Sequence, residues 1–414
     1  MPQITPQALR PCIGIFGRRN AGKSSLMNFL TGQELAIVSP IAGTTTDPVQ
    51  KSVEIFPLGP VVLVDTAGLD DDGALGTLRT EKSLDFFSKV HLAVLVCAGD
   101  WGAFEESICS RFISTKIPFF VVWSKADIAS PSAAGTAFLV KNKISCVHVS
   151  AIKKQGLQDL TETMARLMPA EAMATPSLLT GLLPANGLCL FVAPIDGSAP
   201  KGRLIAPQVQ ALRNALDSHV ISLVVQPEEL GTALTLLTRL PDITICDTQA
   251  VGHCAEVLPD NALLTTYSIL MARLKGHLPT LAAGAAVIHS LQNGDKVCIS
   301  EVCTHHSQPD DIGRVQIPRL LASFTGAELD ITFAAGVDYP QNISEYKLII
   351  HCGGCMINRP AMLGRMNKAA LTGVAITNYG VAISLMRHVL EQTLEVFPEA
   401  LAAYDDACKK IGSR

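Results

Sequence analysis

Residues 17–24 read Gly-Arg-Arg-Asn-Ala-Gly-Lys-Ser. They follow the apolar run 13–16 and precede the amphipathic segment 25–30, which is the strand–loop–helix context of a phosphate-binding loop. In such a loop the glycines let backbone N–H groups surround a polyphosphate at a helix N-terminus. Lys23 would then contact the β- and γ-phosphates, and the hydroxyl of Ser24 would bind Mg²⁺. The motif predicts a nucleotide-binding α/β domain.

Two later motifs supply the remaining Mg²⁺ and γ-phosphate contacts of a GTPase. Residues 43–47 (Gly-Thr-Thr-Thr-Asp) offer Thr45 as a switch threonine for Mg²⁺. Residues 65–68 (Asp-Thr-Ala-Gly) end an apolar strand, so that Asp65 reaches the metal and the amide of Gly68 reaches the γ-phosphate. The catalytic candidates are Lys23, Thr45, Asp65 and Gly68.

Two more motifs would recognise guanine. Asp127, in residues 124–127 (Ser-Lys-Ala-Asp), can accept two N–H bonds from the base, and residues 150–151 (Ser-Ala) can contact its O6. Each motif ends a predicted strand, where open α/β sheets bind ligands. The predicted GTP- and Mg²⁺-binding residues are Gly17, Asn20, Ala21, Gly22, Lys23, Ser24, Ser25, Thr45, Asp65, Gly68, Lys125, Asp127, Ser150 and Ala151.

This part of the chain resembles the translation-factor-related GTPases, and within them the potassium-stimulated, tRNA-modifying branch. The resemblance implies that Asn20 helps to hold K⁺ beside the phosphates. Leu69 stands where Ras-like enzymes have a glutamine that orients water, which implies slow hydrolysis without K⁺ or a switch rearrangement. Ser124 departs from the usual asparagine of the guanine motif, so base selectivity is the open point.

Cysteine and histidine residues cluster near the C-terminal end. Residues 303–305 read Cys-Thr-His and residues 351–355 read His-Cys-Gly-Gly-Cys. The spacing lets one turn point Cys352 and Cys355 at a single centre. Predicted strands 296–302 and 346–350 precede the two motifs, so the three thiols would meet at one edge of a parallel sheet. The predicted metal ligands are Cys303, Cys352, Cys355, His305 and His351, together with Ser24 and Thr45 for Mg²⁺.

The metal at the cysteine site has two interpretations. Three cysteines and two histidines suit zinc by their number. They suit equally a 4Fe–4S cluster with three thiolates and one exchangeable iron.

Composition and the positions of loop-forming residues indicate how the 414 residues divide into domains. We expect an α/β fold with a P-loop GTPase domain at 1–170, a loose linker at 168–177, a second α/β domain at 178–276 and a third at 277–414, the last a doubly wound parallel sheet. The net charge of −4 and the lack of a basic patch argue against nucleic-acid binding. No apolar run of membrane-spanning length and no signal peptide are apparent, so we expect a cytoplasmic location.

The whole pattern resembles the HydF family of FeFe-hydrogenase maturation GTPases: a P-loop GTPase, a middle α/β section, then C-x-H and H-C-x-x-C. The resemblance implies a homodimer or higher oligomer formed through 178–276. It implies a 4Fe–4S cluster on Cys303, Cys352 and Cys355, whose fourth ligand varies. It also implies that a diiron precursor from radical-SAM maturases is carried to apo-hydrogenase.

Two other functions compete with this one. A tRNA-modifying or ribosome-assembly GTPase with a structural zinc site would use the same motifs, but the acidic balance counts against it. An iron–sulfur carrier with a vestigial nucleotide site would not need the intact Lys23, Ser24, Asp65 and Asp127. We therefore expect GTP, Mg²⁺, K⁺ and a 4Fe–4S cluster as cofactors.

Overall fold

The computed structural model describes residues 10–31, 49–65, 90–173, 177–195, 204–302, 311–335 and 342–412. The chain forms two compact units, residues 1–175 and 176–414. Each unit is an α/β structure.

The first unit is built on one six-stranded sheet in its described part, in the order β2-β3-β1-β4-β5-β6. All neighbouring strands are parallel except β2 and β3. The strands are β1 (Cys12–Phe16), β2 (Val49–Ile55), β3 (Gly59–Asp65), β4 (Leu92–Cys97), β5 (Phe119–Trp123) and β6 (Cys146–His148).

Helices cover both faces of this sheet, as the alternation of buried residues along β1 requires. Ile13 and Ile15 enter one apolar core, whereas Cys12 and Phe16 enter the other. Strands buried on both faces are typical of doubly wound parallel sheets. The described helices are α1 (Lys23–Thr31), α2 (Ala103–Ser114), α3 (Ala133–Lys141), α4 (Leu157–Leu167) and α5 (Ala170–Met173).

The second unit contains two four-stranded parallel sheets within its described residues. The first has the order β10-β9-β7-β8 and the second β12-β11-β13-β14. Their strands are β7 (Leu188–Val192), β8 (Ile221–Val225), β9 (Ile243–Cys246), β10 (Leu264–Thr266), β11 (Lys296–Ser300), β12 (Asp330–Ala334), β13 (Leu348–His351) and β14 (Ala375–Asn378).

The helices of the second unit connect these parallel strands. They are α6 (Ala206–Asp217), α7 (Leu230–Leu236), α8 (Val251–Val257), α9 (Tyr267–Lys275), α10 (Leu278–Ala285), α11 (Ile317–Thr325), α12 (Arg359–Leu371), α13 (Tyr379–Met386), α14 (Leu390–Leu394) and α15 (Pro398–Ile411). Polar caps fix several starts: the side chain of Asn358 accepts the amide of Ala361 at 3.1 Å before α12.

One helix, α9, belongs to both halves of the second unit. Its residues Leu270 and Met271 enter an apolar core that contains Phe191 of β7 and Ile349 of β13. The helix follows β10 directly, and the side chain of Thr266 caps it by accepting the amide of Ile269 at 3.1 Å. The two sheets are therefore joined through one buried helix rather than by a linker.

The parallel arrangement that the sequence predicted for the last sheet is confirmed. Strands β11 and β13 are neighbours, and Ser300 lies opposite His351 in the register. Because parallel strands end at the same edge, the chain segments that follow Ser300 and His351 leave the sheet side by side. Residues 303–310, with Cys303 and His305, lie outside the described residues.

Candidate functional site

The phosphate loop joins β1 to α1 in a conformation that needs its glycines. Gly17 has φ +143°, and a Cβ atom there would lie 2.3 Å from the carbonyl oxygen of Val96. Gly22 has φ +95°, and Asn20 has φ 62°, a region that asparagine tolerates better than most residues. The Nζ of Lys23 donates to the carbonyls of Gly17 and Arg18, at 2.7 Å each. The lysine is therefore already held over the loop that would cradle phosphates.

An ion pair from α2 supports the same loop. Arg18 donates through Nε and Nη2 to the two carboxylate oxygens of Glu105, at 2.6 and 3.1 Å. Glu105 is buried and also accepts the amide of Gly102 at 2.9 Å. The pair is bidentate, the geometry in which arginine fixes a carboxylate most firmly. Sequence reasoning missed this contact because 87 residues separate its partners.

The predicted Mg²⁺ ligands Ser24 and Asp65 meet at the end of β3. The Oγ of Ser24 donates to Oδ2 of Asp65 at 3.3 Å. Within the described residues, the other oxygen, Oδ1, is buried and has no hydrogen-bond partner. Burial raises the pKa of Asp65, and the Lys23 ammonium opposes this shift. A buried carboxylate oxygen without a donor, next to a hydroxyl, fits a hard divalent cation.

The base-recognition motifs also come together. The Oγ of Ser150 donates to Oδ1 of Asp127 at 2.7 Å, and this bond lowers the pKa of the carboxyl. The amide of Ala126 donates to the carbonyl of Val149 at 3.1 Å, which ties the two motifs together. Lys125 is exposed and has φ 54°, and Ala151 is half-buried beside Ser150.

Ser124 uses its hydroxyl inside the protein. Its Oγ lies 2.5 Å from the carbonyl oxygen of Ala21 in the phosphate loop and 3.1 Å from that of Cys97. A hydroxyl carries one hydrogen, so these two acceptors already use its donor. Ser124 thus links the base-binding strand to the phosphate loop. Of the other predicted residues, Ser25 is exposed on α1, whereas Thr45 and Gly68 lie outside the described residues.

The two cysteines of the H-C-x-x-C motif follow β13. The amide of Cys352 donates to the carbonyl of Ser300 at 2.8 Å, and the amide of Val302 donates to the Sγ of Cys352 at 3.3 Å. Residue 302, which directly precedes Cys303 in the sequence, therefore lies against the sulfur of Cys352. Burial raises the pKa of Cys352, while hydrogen bonds from the amides of Gly354 and Val302 lower it.

His351 is buried beneath this loop with both ring nitrogens in hydrogen bonds. Nη1 of Arg365 lies 2.9 Å from Nε2, and the carbonyl oxygen of Cys352 lies 2.7 Å from Nδ1. Because an arginine can only donate, Nε2 of His351 accepts. Its Nδ1 therefore carries the hydrogen and donates to the backbone carbonyl of Cys352. Burial and the Arg365 charge lower the pKa of His351 to about 3, which keeps the ring neutral.

A buried lysine binds the backbone of the cysteine loop. The Nζ of Lys275, at the end of α9, donates to the carbonyls of Gly354, Cys355 and Ile357. Burial lowers its pKa to about 8, and the thiols of Cys355 and Cys352 oppose this shift. Among the residues that the structure describes, no three His, Cys, Asp or Glu side chains are arranged to hold a metal ion. The described part of the cysteine site comprises two thiols, their amide donors and this cation.

Three family models match successive parts of the chain. Residues 12–125 match the 50S ribosome-binding GTPase family, residues 178–276 match the Hydrogen maturase F dimerization domain, and residues 279–396 match the Hydrogen maturase F tetramerization domain. The two maturase matches together cover slightly more than half of the chain.

Similar curated proteins match over a shorter region. The tRNA modification GTPase MnmE of Acidovorax sp. (strain JS42) is 32% identical over 237 residues, which cover 54% of this chain and 44% of that protein. MnmE of Paracidovorax citrulli is 33% identical over 242 residues, with the same coverage. The chain thus spans less than half of the length of these relatives, which resemble it as GTPases.

Solved structures match over 38% of the chain. Era of Aquifex aeolicus bound to GDP·AlF4⁻ is 27% identical, with a TM-score of 0.32 and 56% of its chain covered. The G domain of the T. maritima iron transporter FeoB is 20% identical, with a TM-score of 0.30 and 98% of its chain covered.

In the part of our chain that the structure describes, no helix combines the length and apolarity that crossing a membrane requires.

Proposed function

Since the chain belongs to the HydF family of hydrogenase maturation GTPases, we propose that it hydrolyses GTP and carries a diiron precursor to apo-FeFe-hydrogenase on a cluster-binding domain. The observation that carries the second part is the 3.3 Å contact between the amide of Val302 and the Sγ of Cys352. It brings the residue before Cys303 to the H-C-x-x-C loop, which is what a shared site for three distant thiols requires.

The nucleotide half of the proposal rests on groups already in place. Lys23 is held over the phosphate loop, and Ser24 and Asp65 present two oxygens to Mg²⁺. Bound Mg²⁺ would neutralise charge on the β- and γ-phosphates. Thr45 and Gly68 complete the proposed catalytic set, as the switch ligand of the metal and the amide donor to the γ-phosphate. Asp127, supported by Ser150, accepts the N–H groups of guanine.

Asn20 is our proposed potassium ligand. It is exposed at the tip of the phosphate loop, with φ 62°, and its amide oxygen is a suitable ligand for a monovalent cation. We expect KCl to raise the GTP turnover of the wild-type protein above that in NaCl at equal ionic strength. Asn20→Ala should remove this difference and leave the basal rate in NaCl within about twofold. Equal stimulation of both proteins would contradict the assignment.

The cluster half uses Cys303, Cys352 and Cys355 as ligands. Thiolates that accept backbone N–H bonds, as Cys352 does, are typical of iron–sulfur sites. When bound, a 4Fe–4S cluster with three protein thiolates supplies one iron with an exchangeable position. We assign His351 a supporting role, because both of its nitrogens are engaged. His305 remains the histidine proposed to face the metal or the incoming cargo.

Oligomer formation follows from the maturase domains, whose descriptions are dimerization and tetramerization. We propose the radical-SAM maturases as the suppliers of the diiron cargo and the apo-hydrogenase as its acceptor. Nucleotide state would bias the contacts with these partners rather than drive the iron chemistry.

An in vitro maturation assay tests the function. Apo-FeFe-hydrogenase is mixed with the radical-SAM maturases and this protein, and hydrogen evolution is measured. The triple variant Cys303→Ala/Cys352→Ala/Cys355→Ala should fail to activate the hydrogenase and should hydrolyse GTP at the wild-type rate. Lys23→Ala should lose GTP turnover by about 100-fold or more. Full activation by the triple variant, or zinc without iron in the anaerobically purified protein, would instead support a GTPase with a structural zinc site.

A further inference from the structure

Lys275 occupies an unusual place for a lysine. Its side chain is buried, with 2% of the residue exposed, although lysine is almost never fully buried without partners. Its Nζ lies 3.1 Å from the carbonyl oxygens of Gly354 and Cys355 and 2.5 Å from that of Ile357. An ammonium has three N–H donors, and these three carbonyls use all of them. The loop of residues 352–357, which leads from β13 to α12, therefore directs three carbonyls at one cation.

A second cation connects the same two segments in the opposite direction. Nη1 of Arg359, the first residue of α12, donates to the carbonyls of Leu274 at 2.6 Å and Gly276 at 3.2 Å. These carbonyls flank Lys275 at the C-terminus of α9, where a positive charge is favoured. The lysine at the end of α9 thus binds carbonyls of the cysteine loop, and the arginine that follows the loop binds carbonyls at the end of α9.

The start of α9 lies near the loop as well. Ser268 lies seven residues before Lys275, two turns along the same helix face. A Cβ atom added to Gly353 would lie 3.6 Å from the Oγ of Ser268. The same hydroxyl accepts the amide of Gly380 at 3.1 Å, and Asn378 donates to the carbonyl of Ser268 at 3.0 Å. The start of α9 therefore lies beside Gly353, and its last residue, Lys275, binds the carbonyl of Gly354.

The lysine also orients the loop's peptide groups. A peptide unit is planar and trans, so a carbonyl aimed at Lys275 sends the N–H of the next residue the opposite way. Three such units face the ammonium, and their N–H ends face away from it. The sulfur of Cys352 accepts amide hydrogens from Val302, which follows β11, and from Gly354, which lies in the loop itself. The thiols of Cys355 and Cys352 raise the pKa of Lys275 and so favour its charged form.

We propose that Lys275 is a positioning residue for the cysteine site: its ammonium holds the 352–357 loop in its binding conformation before any metal arrives. The positive charge of its ammonium also raises the reduction potential of a cluster bound there, because a nearby cation favours the more negative, reduced form. This second statement rests on the proposed function, whereas the first concerns the apoprotein alone. The lysine stands in the part that matches the dimerization domain, and its loop in the part that matches the tetramerization domain.

Hydrogen exchange of the full-length apoprotein tests the positioning role. Lys275→Met keeps much of the side-chain volume but removes the charge and all three donors. We expect amides 352–358 to exchange about tenfold faster or more in this variant, whereas Lys275→Arg should restore much of the protection. Lys347→Met is the matched control: Lys347 lies in the same unit and donates to the carbonyl of Ser290 and to the carboxylate of Asp295, both outside the loop. Wild-type exchange in Lys275→Met would overturn the proposal.

The reduction potential separates charge from shape. After anaerobic reconstitution with iron and sulfide, we expect a more negative midpoint potential in Lys275→Met than in the wild type and in Lys347→Met. Lys275→Arg should return the potential towards the wild-type value, which a loosened loop alone would not do. An unchanged potential in Lys275→Met at full cluster content would overturn the electrostatic statement.

Failure of the proposed function would look different from failure of this inference. A wild-type protein that binds no iron contradicts the cluster, while the exchange experiment still decides whether Lys275 holds the loop. If Lys275→Met does not fold by circular dichroism, Lys275→Gln takes its place, since it retains N–H donors but not the charge. From this neutral side chain we expect the same shift in potential and a smaller acceleration of exchange, and the absence of both would count against the proposal.

Discussion

At the residue scale, we propose that Asp127 controls the choice of base. Its carboxylate is oriented by the hydroxyl of Ser150 at 2.7 Å, and as an acceptor-only group it matches the two N–H donors of guanine. Asp127→Asn replaces one acceptor by a donor, which suits xanthine instead. We expect GTP affinity to fall by about 100-fold and XTP affinity to exceed it, as measured by calorimetric titration with each nucleotide. Asn at position 127 with unchanged GTP binding would contradict the guanine assignment.

We expect His91 to make the first unit less stable in acid. The amide of Cys12 donates to Nδ1 of His91 at 3.0 Å, and burial lowers the pKa of this histidine to about 4. The unfolded chain takes up its proton near pH 6.5, so the folded state loses stability as the pH falls from 6.5 towards 4. The slope is at most about 1.4 kcal/mol per pH unit.

The measurement for His91 is urea unfolding at several pH values. The chain has two tryptophans, Trp101 and Trp123, which lie 5.7 Å apart in the first unit, so their fluorescence reports this unit alone. His91→Gln keeps a hydrogen-bond acceptor that does not titrate. Its free energy of unfolding should fall less steeply between pH 6.5 and 4 than that of the wild type. Equal slopes would show that His91 does not cause the loss.

At the residue scale, the sequence indicates which residues lie together where a motif has a fixed geometry. Ser24 lies within hydrogen-bonding distance of Asp65 because β1 and β3 are parallel neighbours that end at the same edge of the sheet, and their shared role at Mg²⁺ stays a prediction. Lys275 could not be predicted, since it is one of several cations at the end of an apolar helix. His351 carries the opposite lesson: its position was foreseen, but its hydrogen bond with Arg365 depends on tertiary packing.

Two edge strands stand out at the element scale. Strands β8 and β12 end their sheets, and each consists of exposed and half-buried residues, whereas β10 at the opposite edge of the first of these sheets is buried. Ile221, Val224 and Phe333 are exposed apolar side chains on these strands. Edge strands can pair with a strand of another chain. Strand β8 lies in the part that matches the dimerization domain, and β12 lies in the part that matches the tetramerization domain.

Charged substitutions on these edges test the assembly. We expect Val224→Lys to dissociate contacts of the dimerization part and Phe333→Lys those of the tetramerization part, each halving the mass measured by light scattering. Leu236→Lys and Leu371→Lys are the controls, because both leucines are exposed on helices away from the edges. An unchanged mass in both edge variants would place the interfaces elsewhere.

Element boundaries show where periodicity fails as a guide. The apolar pattern of residues 381–395 predicts one helix, but the structure has α13 and α14 separated at 387–389. His388 adopts φ 60° there, a left-handed conformation that ends a helix. The strands were easier to predict, because continuous apolar runs bounded by polar loops are typical of buried parallel strands.

At the scale of the whole molecule, the chain combines a GTPase unit with a second unit whose two sheets share one core. The three-domain division at 1–170, 178–276 and 277–414 stays a prediction. Sequence alone indicated that strands β11 and β13 would be parallel, but not that α9 joins both sheets. A shared helix leaves no composition signal, since its apolar residues serve two faces at once.

Iron analysis after anaerobic reconstitution tests most directly whether three separated thiols bind one cluster. Wild-type protein, Cys303→Ala, Cys352→Ala, Cys355→Ala and the buried control Cys298→Ala are incubated with iron and sulfide, and metal and sulfide per chain are determined. We predict about four irons per chain in the wild type and in Cys298→Ala, with loss of the cluster in each of the other three. A Cys303→Ala variant that retains the full iron content, or a wild type that binds only zinc, would contradict the account.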